Sequence, residues 1–309
     1  MSLNTKIKVV GVGGAGSNAV SRMVTARIQG VEMAVINCDA QDLQKAKANQ
    51  KLRIGRNLTQ GLGAGMNPEI GRQAAEENKE EISQLLSGAD MVFITAGLGG
   101  GTGTGAAPIV ADVAKELGAL VVGVVTTPFS FEGSYRAQLA KKGLEVLKGK
   151  VDTLLIIPND KVLSQGNKNR SLIEAFWACD EVLRQAVQGI TDLILLPGII
   201  NVDFADVKTI MKNSGPAFFG MGKSKGEQRV ETAVNLAINS PLLDFSIKGA
   251  KGILFNVSGG DDLSLNEIDR AAKIITERAD SRARVIFGAV NDKKLQKGEM
   301  KITVIATGF

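Results

Sequence analysis

The chain alternates short, β-rich and largely apolar runs with stretches whose apolar residues recur every three or four positions. The first pattern reads as buried strand and the second as amphipathic helix. Strands are predicted over residues 6–11, 31–37, 91–96, 120–126 and 153–158, and helices over 17–29, 106–117 and 134–147. One more helix is predicted over 67–88. Asn67 suits its N-cap, Pro68 its first position and Glu69 its first turn, and Ile70, Ala74, Ile82, Leu85 and Leu86 line its apolar face. Residues 40–66 are polar and dotted with glycine, so they predict loops or short pieces. Strands apolar throughout, separated by single helices, predict an α/β domain whose parallel sheet is covered on both faces. Ligands on such sheets sit beyond the carboxyl ends of the strands. The segments after residues 11, 37, 96, 126 and 158 are therefore the places to look.

A long helical stretch over 171–195 follows, carrying Leu172, Ile173, Phe176, Val182, Leu183, Val187 and Ile190. The style then changes. Helices are predicted over 226–239 and 264–278, and strands over 251–257, 284–290 and 300–307, the last two as a hairpin-like pair. The expected division is a ligand-binding domain over 1–170, a connecting helix over 171–196 and a smaller α+β domain over 197–309.

Composition narrows the chemistry. No apolar run approaches the ~20 residues that span a bilayer, and no basic-then-apolar signal opens the chain. A soluble, cytoplasmic protein without direct membrane insertion is expected. There is no histidine, which excludes Ser-His-Asp and Cys-His catalysis and every histidine metal site. Cys38 and Cys179 lack any zinc or redox spacing and read as buried hydrophobes. A net charge of +5 raises nucleic acid as a partner. One Trp, one Tyr and no basic helix argue instead for a solvated basic surface and no nucleic acid.

The chemistry concentrates in two glycine segments. Residues 11–18 (GVGGAGSN) match the dinucleotide pattern GxGxxG at Gly11, Gly13 and Gly16, with Asp39 downstream where a ribose-binding acid belongs. Structural turn glycines are the plain alternative, and a nicotinamide-dependent oxidoreductase is the enzymatic one. The second segment, 97–105 (GLGGGTGTG), places six glycines in nine residues between a strand and a helix. Each glycine is costly to order, and a turn needs only one or two. Six of them, with Thr102 and Thr104, describe a chain wrapping a polyphosphate with amides and hydroxyls. A side chain at Gly101 or Gly103 is expected to expel the phosphate and spare the fold. A nicotinamide fold has no use for this second loop. No Walker lysine is present; residues 220–224 (GMGKS) imitate only its tail.

Residues 99–105 (GGGTGTG) resemble the signature of the tubulin/FtsZ family of cell-division GTPases, in its FtsZ wording. The resemblance continues through 11–18, 61–69 (GLGAGMNPE), 128–133 (PFSFEG), 157–160 (IPND), 201–206 (NVDFAD) and 303–309 (TVIATGF), in the family's order. It implies a Rossmann-like GTP-binding domain, a long central helix and an α+β C-terminal domain. It implies GTP/GDP as ligand, Mg2+ held through phosphate and water with no side-chain ligand assigned, and head-to-tail self-assembly at the mid-cell division site. Carried over by position, Gly13, Gly14, Ala15, Gly16, Ser17 and Asn18, with Gly97, Gly99, Gly100, Gly101, Thr102, Gly103 and Thr104, would hold the phosphates. Glu132 and Arg136 would meet the ribose; Asn159 and Asp180 would read the base, with Phe176 against its face. Asn201, Asp203 and Asp206 would enter the neighbouring subunit's site, where the acids position the attacking water. Read without the resemblance, Asn201 is a helix cap and the acids favour a helix start near Asp203. A relative that assembles but hydrolyses little is the non-enzymatic alternative. Three departures stand out: the basic charge, Tyr135 where a basic residue is expected, and a chain end at Phe309 without the terminal peptide that binds membrane adaptors.

Overall fold

The computed structural model describes residues 5–164, 171–239 and 247–309. Residue 170, the expected edge of the first domain, lies outside the described residues. The chain separates into two compact units, Met1–Gln188 and Gly189–Phe309.

The first unit runs β1 (Ile7–Val12), α1 (Gly13–Thr25), β2 (Val31–Asn37), α2 (Ala40–Lys45), β3 (Gln50–Arg53), α3 (Arg56–Thr59), α4 (Pro68–Glu77), α5 (Lys79–Leu86), β4 (Met91–Gly97), α6 (Gly101–Glu116), β5 (Leu120–Thr127), α7 (Ser134–Lys148), β6 (Thr153–Pro158) and α8 (Asn159–Ser164). Helix α9 (Leu172–Leu195) crosses into the second unit. The strands pair in the order β3-β2-β1-β4-β5-β6, every pair parallel. The chain order reverses between β1 and β4, where Val12 stands opposite Ala96. Both glycine segments therefore leave the sheet side by side at the topological switch point, where such sheets bind ligands.

The helix starts differ from the sequence expectation. Helix α1 begins at Gly13 and α6 at Gly101, four or five residues earlier than the periodicity indicates. Glycine lowers helix propensity, but here close approach requires it. A Cβ on Gly105 would lie 1.9 Å from the Pro68 carbonyl oxygen, and one on Gly71 would lie 2.4 Å from that of Gly101, so α4 and α6 pack backbone to backbone. Three of the six glycines of the second segment thus sit inside a helix, and only Leu98, Gly99 and Gly100 form its loop. The helix over 67–88 is likewise two helices. Asn78 divides it, and its carboxamide accepts the Gly55 N–H (2.8 Å) and donates to Glu81 (3.0 Å).

The second unit contains α10 (Phe204–Met211), β7 (Gly215–Lys225), α11 (Arg229–Ile238), β8 (Gly252–Gly259), α12 (Leu265–Thr276), β9 (Arg284–Asn291) and β10 (Glu299–Thr307). Its strands lie in the order β7-β10-β8-β9. The hairpin expected of the last two strands does not form: β9 pairs parallel to β8, and β10 pairs antiparallel to both β7 and β8. The Ser264–Glu267 capping box starts α12, whose Ile268, Ala271 and Ile275 are buried, so this helix is a crossover and returns the chain parallel. Strand β10 is buried almost throughout, which suits a strand with neighbours on both sides. Strand β7, which carries Gly220 and Gly222, has no counterpart in the sequence expectation. Both glycines face α11: a Cβ would lie 1.8 Å from the Ala237 oxygen and 2.0 Å from that of Ala233. The Walker-like tail is therefore a strand under a helix. Among the described residues no helix is long and apolar enough to cross a membrane.

Candidate functional site

Two helices begin at the switch point with nothing capping them. The residues before α1 and α6, Val12 and Gly100, make no side-chain cap bond, and neither helix has an acid in its first turn. Their free amides and positive dipole ends are open to an anion. A cleft of about 450 Å³ opens there, within the size range of small-molecule sites.

Of the residues singled out from the sequence, Gly14, Ala15, Gly97, Gly100, Gly101, Thr102, Gly103, Glu132, Arg136, Asn159, Phe176 and Asp180 line this cleft. The others serve it indirectly. Gly13 takes φ +73°, and a Cβ on it would meet Gly103 N at 2.8 Å, so it lets the two glycine segments touch. Gly16 packs α1 onto β4, its missing Cβ 2.4 Å from the Thr95 oxygen. The Ser17 hydroxyl donates to the Gly13 carbonyl (2.8 Å), and Thr104 Oγ1 accepts the Gly99 N–H (2.8 Å), closing the second loop. Asn18 lies in an adjoining cleft of about 460 Å³, which shares Asp42, Phe176 and Asp180 with the first.

The far wall is built from the ends of β5 and β6 and from α9. Glu132 accepts the Phe129 N–H (2.9 Å) and pairs with Arg136 one turn on. Asp160 accepts from the Ser130 N–H (3.0 Å) and hydroxyl (3.1 Å), tying this loop to α8. Phe129, buried, stacks on Phe131 at 4.9 Å and meets Phe176 edge-on at 5.2 Å, which fixes the Phe176 ring at the cleft. Asn159 is 5% exposed, and its Oδ1 has no partner; the buried Asn37 Nδ2 is equally without one. Orphaned amide atoms on a cleft wall fit a polar ligand that would complete them. Asp180 is held by Arg22, Nε to Oδ2 at 2.7 Å. Burial nevertheless pushes its carboxyl up to about 6, against the pull of Arg22. Burial also pushes the Cys179 thiol up to about 12, so this cleft cysteine is inert.

Sequence reasoning missed Asn37, Asp42 and residues 62–66 as lining. The last carry a readable signal, since Gly61, Gly63 and Gly65 all have positive φ. Asp39 also lines the cleft, and its Oδ1 accepts the Gln41 and Asp42 N–H groups (2.8 and 3.0 Å) as the N-cap of α2. Asn201 is corrected: it accepts the Gly198 N–H (2.7 Å), and the N-cap of α10 is Asp203. Asp203 and Asp206 are exposed, and neither side chain is hydrogen-bonded among the described residues. They belong to the second unit, whereas every residue lining the cleft belongs to the first. Tyr135 is exposed and does not line the cleft.

Among the described residues no group of three or more acidic or thiol side chains could hold a metal. Asp39, Asp42, Glu132 and Asp180 nonetheless put four carboxylates on a cleft with one arginine, Arg136. A cation accompanying a polyphosphate fits that set of carboxylates.

Residues 6–167 match the family model for the Tubulin/FtsZ family GTPase domain, and residues 215–309 match that for the FtsZ family C-terminal domain. Among solved structures, an FtsZ dimer from M. jannaschii is 49% identical, with a TM-score of 0.92 over 98% of this chain and 88% of that one. A CetZ1 GDP-bound monomer from Haloferax volcanii is 23% identical with a TM-score of 0.86, over 99% of this chain and 94% of that one. A CetZ2 GTPγS-bound protofilament from the same organism is 21% identical with a TM-score of 0.81, over 98% of this chain and 92% of that one. At those identities the CetZ likenesses concern the fold alone.

Proposed function

This chain belongs to the tubulin/FtsZ family of GTPases, and we propose that its first unit binds GTP or GDP in the switch-point cleft while the exposed acids of its second unit complete the site of an adjoining copy. The observation that carries the reading is the pair of uncapped helix starts opening side by side on one cleft. In this reading amides of α1 and α6 and the Thr102 hydroxyl receive the phosphates, and Arg136, steadied by Glu132, sits toward the ribose. Asn159 and Asp180 read the base against Phe176. A carboxylate accepts from both N1–H and N2–H2 of guanine, an edge adenine does not present. The nicotinamide alternative is dropped, because the family is one of GTPases.

Hydrolysis converts GTP and water to GDP and phosphate. Bound Mg2+ would supply neutralising charge on the phosphates, carried by phosphate and water ligands, for among the described residues no cluster of acidic or thiol side chains could hold it alone. Without histidine, Asp203 and Asp206 of the neighbouring copy are the groups to orient the attacking water. The M. jannaschii relative is described as a dimer; self-assembly of this chain, head to tail, is the matching proposal. The working division is a nucleotide part over 1–170, a connecting helix over 171–196 and an acid-bearing part over 197–309, acting in the cytoplasm at mid-cell. Light scattering with GTP against GDP tests assembly, and an unresponsive protein would overturn it.

Base choice should follow Asp180. Asp180→Asn turns one acceptor oxygen into an NH2 donor facing guanine's donors, at a cost of about 1–3 kcal/mol in binding. Titration with GTP and ATP checks this; unchanged GTP affinity would remove Asp180 from base recognition.

A further inference from the structure

The only tryptophan of the chain stands one residue after Phe176 and three before Asp180, on the same helix. At 51% exposed it is not a core residue. Its ring lies against Arg22 of α1, whose guanidinium carbon is 4.8 Å from the ring centroid. The same guanidinium donates Nε–H to Asp180 Oδ2 at 2.7 Å. Arg22 is thus held between an aromatic face and a carboxylate, and the Asp180 side chain is only 14% exposed. Among the described residues no other group hydrogen-bonds that carboxylate.

We propose that Arg22 and Trp177 are positioning residues for base recognition: the indole fixes the guanidinium, and the guanidinium fixes the Asp180 carboxylate and keeps it in its accepting, ionised form. The inference rests on the reading of Asp180 given above and adds the groups that make it work. The physical need is plain. A carboxylate taken out of water tends to take up a proton, and a protonated Asp180 would offer a donor to guanine's donors. Other charged or titratable groups surround it: Asp42 and Lys45 on α2, Lys47 just beyond, and Cys179 and Glu181 on α9 itself. Only Arg22 reaches hydrogen-bond distance, so it is the one group able to orient the carboxylate as well as charge-balance it. Cation–π attraction to tryptophan then limits the swing of a long arginine side chain.

The direction of the pH effect follows. Burial holds the Asp180 carboxyl up at about 6 while Arg22 pulls it down; without Arg22 it moves further up. The test is nucleotide affinity from pH 6 to 8.5 for the full chain, with GDP as probe, for wild type, Arg22→Gln, Trp177→Ala, Trp177→Phe and Asp180→Asn. Dividing each variant by wild type at the same pH cancels the ionisation of the phosphates. Arg22→Gln should bind about tenfold more weakly at pH 7 and recover most of the loss by pH 8.5. Trp177→Ala should show the same shape at about threefold, and Trp177→Phe should restore most of it. In the wild type, GDP binding should also change Trp177 emission, since its stacked partner is tied to the base-reading group. An Arg22→Gln loss equal at every pH would mean that Arg22 only contacts phosphate or supports the fold, and would overturn the proposal. So would a wild-type profile in that variant. If Asp180→Asn binds GDP as wild type does, the base reading itself fails; if it binds poorly while Arg22→Gln is normal, the positioning role alone fails.

Discussion

Asp206→Ala should lower GTP turnover by roughly 10²–10⁴-fold, the usual worth of a positioned acid–base group, while the protein still folds and binds nucleotide. The side chain lies in the first turn of α10, exposed and without a hydrogen bond among the described residues. Its removal forfeits only a favourable charge at a helix start, about 0.3–1 kcal/mol. Asp203→Ala should behave similarly, since Asp203 caps α10 with its backbone and makes no side-chain cap bond. Steady-state phosphate release and nucleotide titration on the same preparations separate the two effects. If the acids act on a neighbour, wild-type specific activity must rise with concentration above an assembly threshold. A subunit that has lost its acids should recover turnover when mixed with one that has lost its phosphate grip. Dilute monomers hydrolysing at a concentration-independent rate would refute the shared site.

The second large effect separates two kinds of glycine in one segment. Gly105→Ala should destabilise the first unit by about 3 kcal/mol or more, because its Cβ would lie 1.9 Å from the Pro68 oxygen and 2.7 Å from Arg72 N, both backbone atoms. For a unit of this size that is a fall of roughly 6–12 °C in Tm. Gly101 and Gly103 share the difficulty: their Cβ atoms would meet Asn67 N at 2.9 Å and the Gly97 oxygen at 2.7 Å. Valine at either position would therefore disturb packing as well as phosphate. Gly100→Ala is the clean probe. Its backbone suits any residue, and its Cβ would meet nothing within 4 Å. Stability should stay within about 0.5 kcal/mol of wild type. The added methyl would stand at the cleft lining and hold a phosphate off the nearby amides, so nucleotide affinity should fall roughly tenfold or more, as when one hydrogen bond to a charged group is lost. Thermal melts with and without GDP read both quantities. A stable Gly105→Ala protein would mean that α4 and α6 are not in backbone contact.

The contrast shows what could be read along the chain. Strands β4 and β5 were legible because burial on both faces leaves apolar runs such as residues 91–94 and 120–125. The parallel sheet and the position of both glycine segments at its carboxyl edge follow from that pattern. What local pattern could not convey was contact between distant backbones. Glycine means loop to any propensity argument, yet Gly105, Gly220 and Gly222 lie in a helix and a strand that another helix touches. The break at Asn78 depends on Gly55, and β10 takes its place from partners rather than from its own residues. The phosphate end of the site was visible in composition. Phe176 and Asp180 stood out only through the family resemblance. Arg22 and Trp177 had no signal, because they matter only once α1 and α9 are side by side.

Strand order carries one more consequence, for synthesis. In the first unit β4, β5 and β6 line up in the order they are made, each finding its neighbour already in place. In the second unit, β7 and β8 are not neighbours, and the strand between them, β10, is made after both. A nascent chain with β7 and β8 already emerged would carry two unpaired strand edges until residues 299–307 leave the ribosome. Exposed edges of that kind are where chains pair wrongly with one another. The first unit can thus fold as it is translated, while the second waits for its last strand and is the part of the molecule that most needs shielding in the interval.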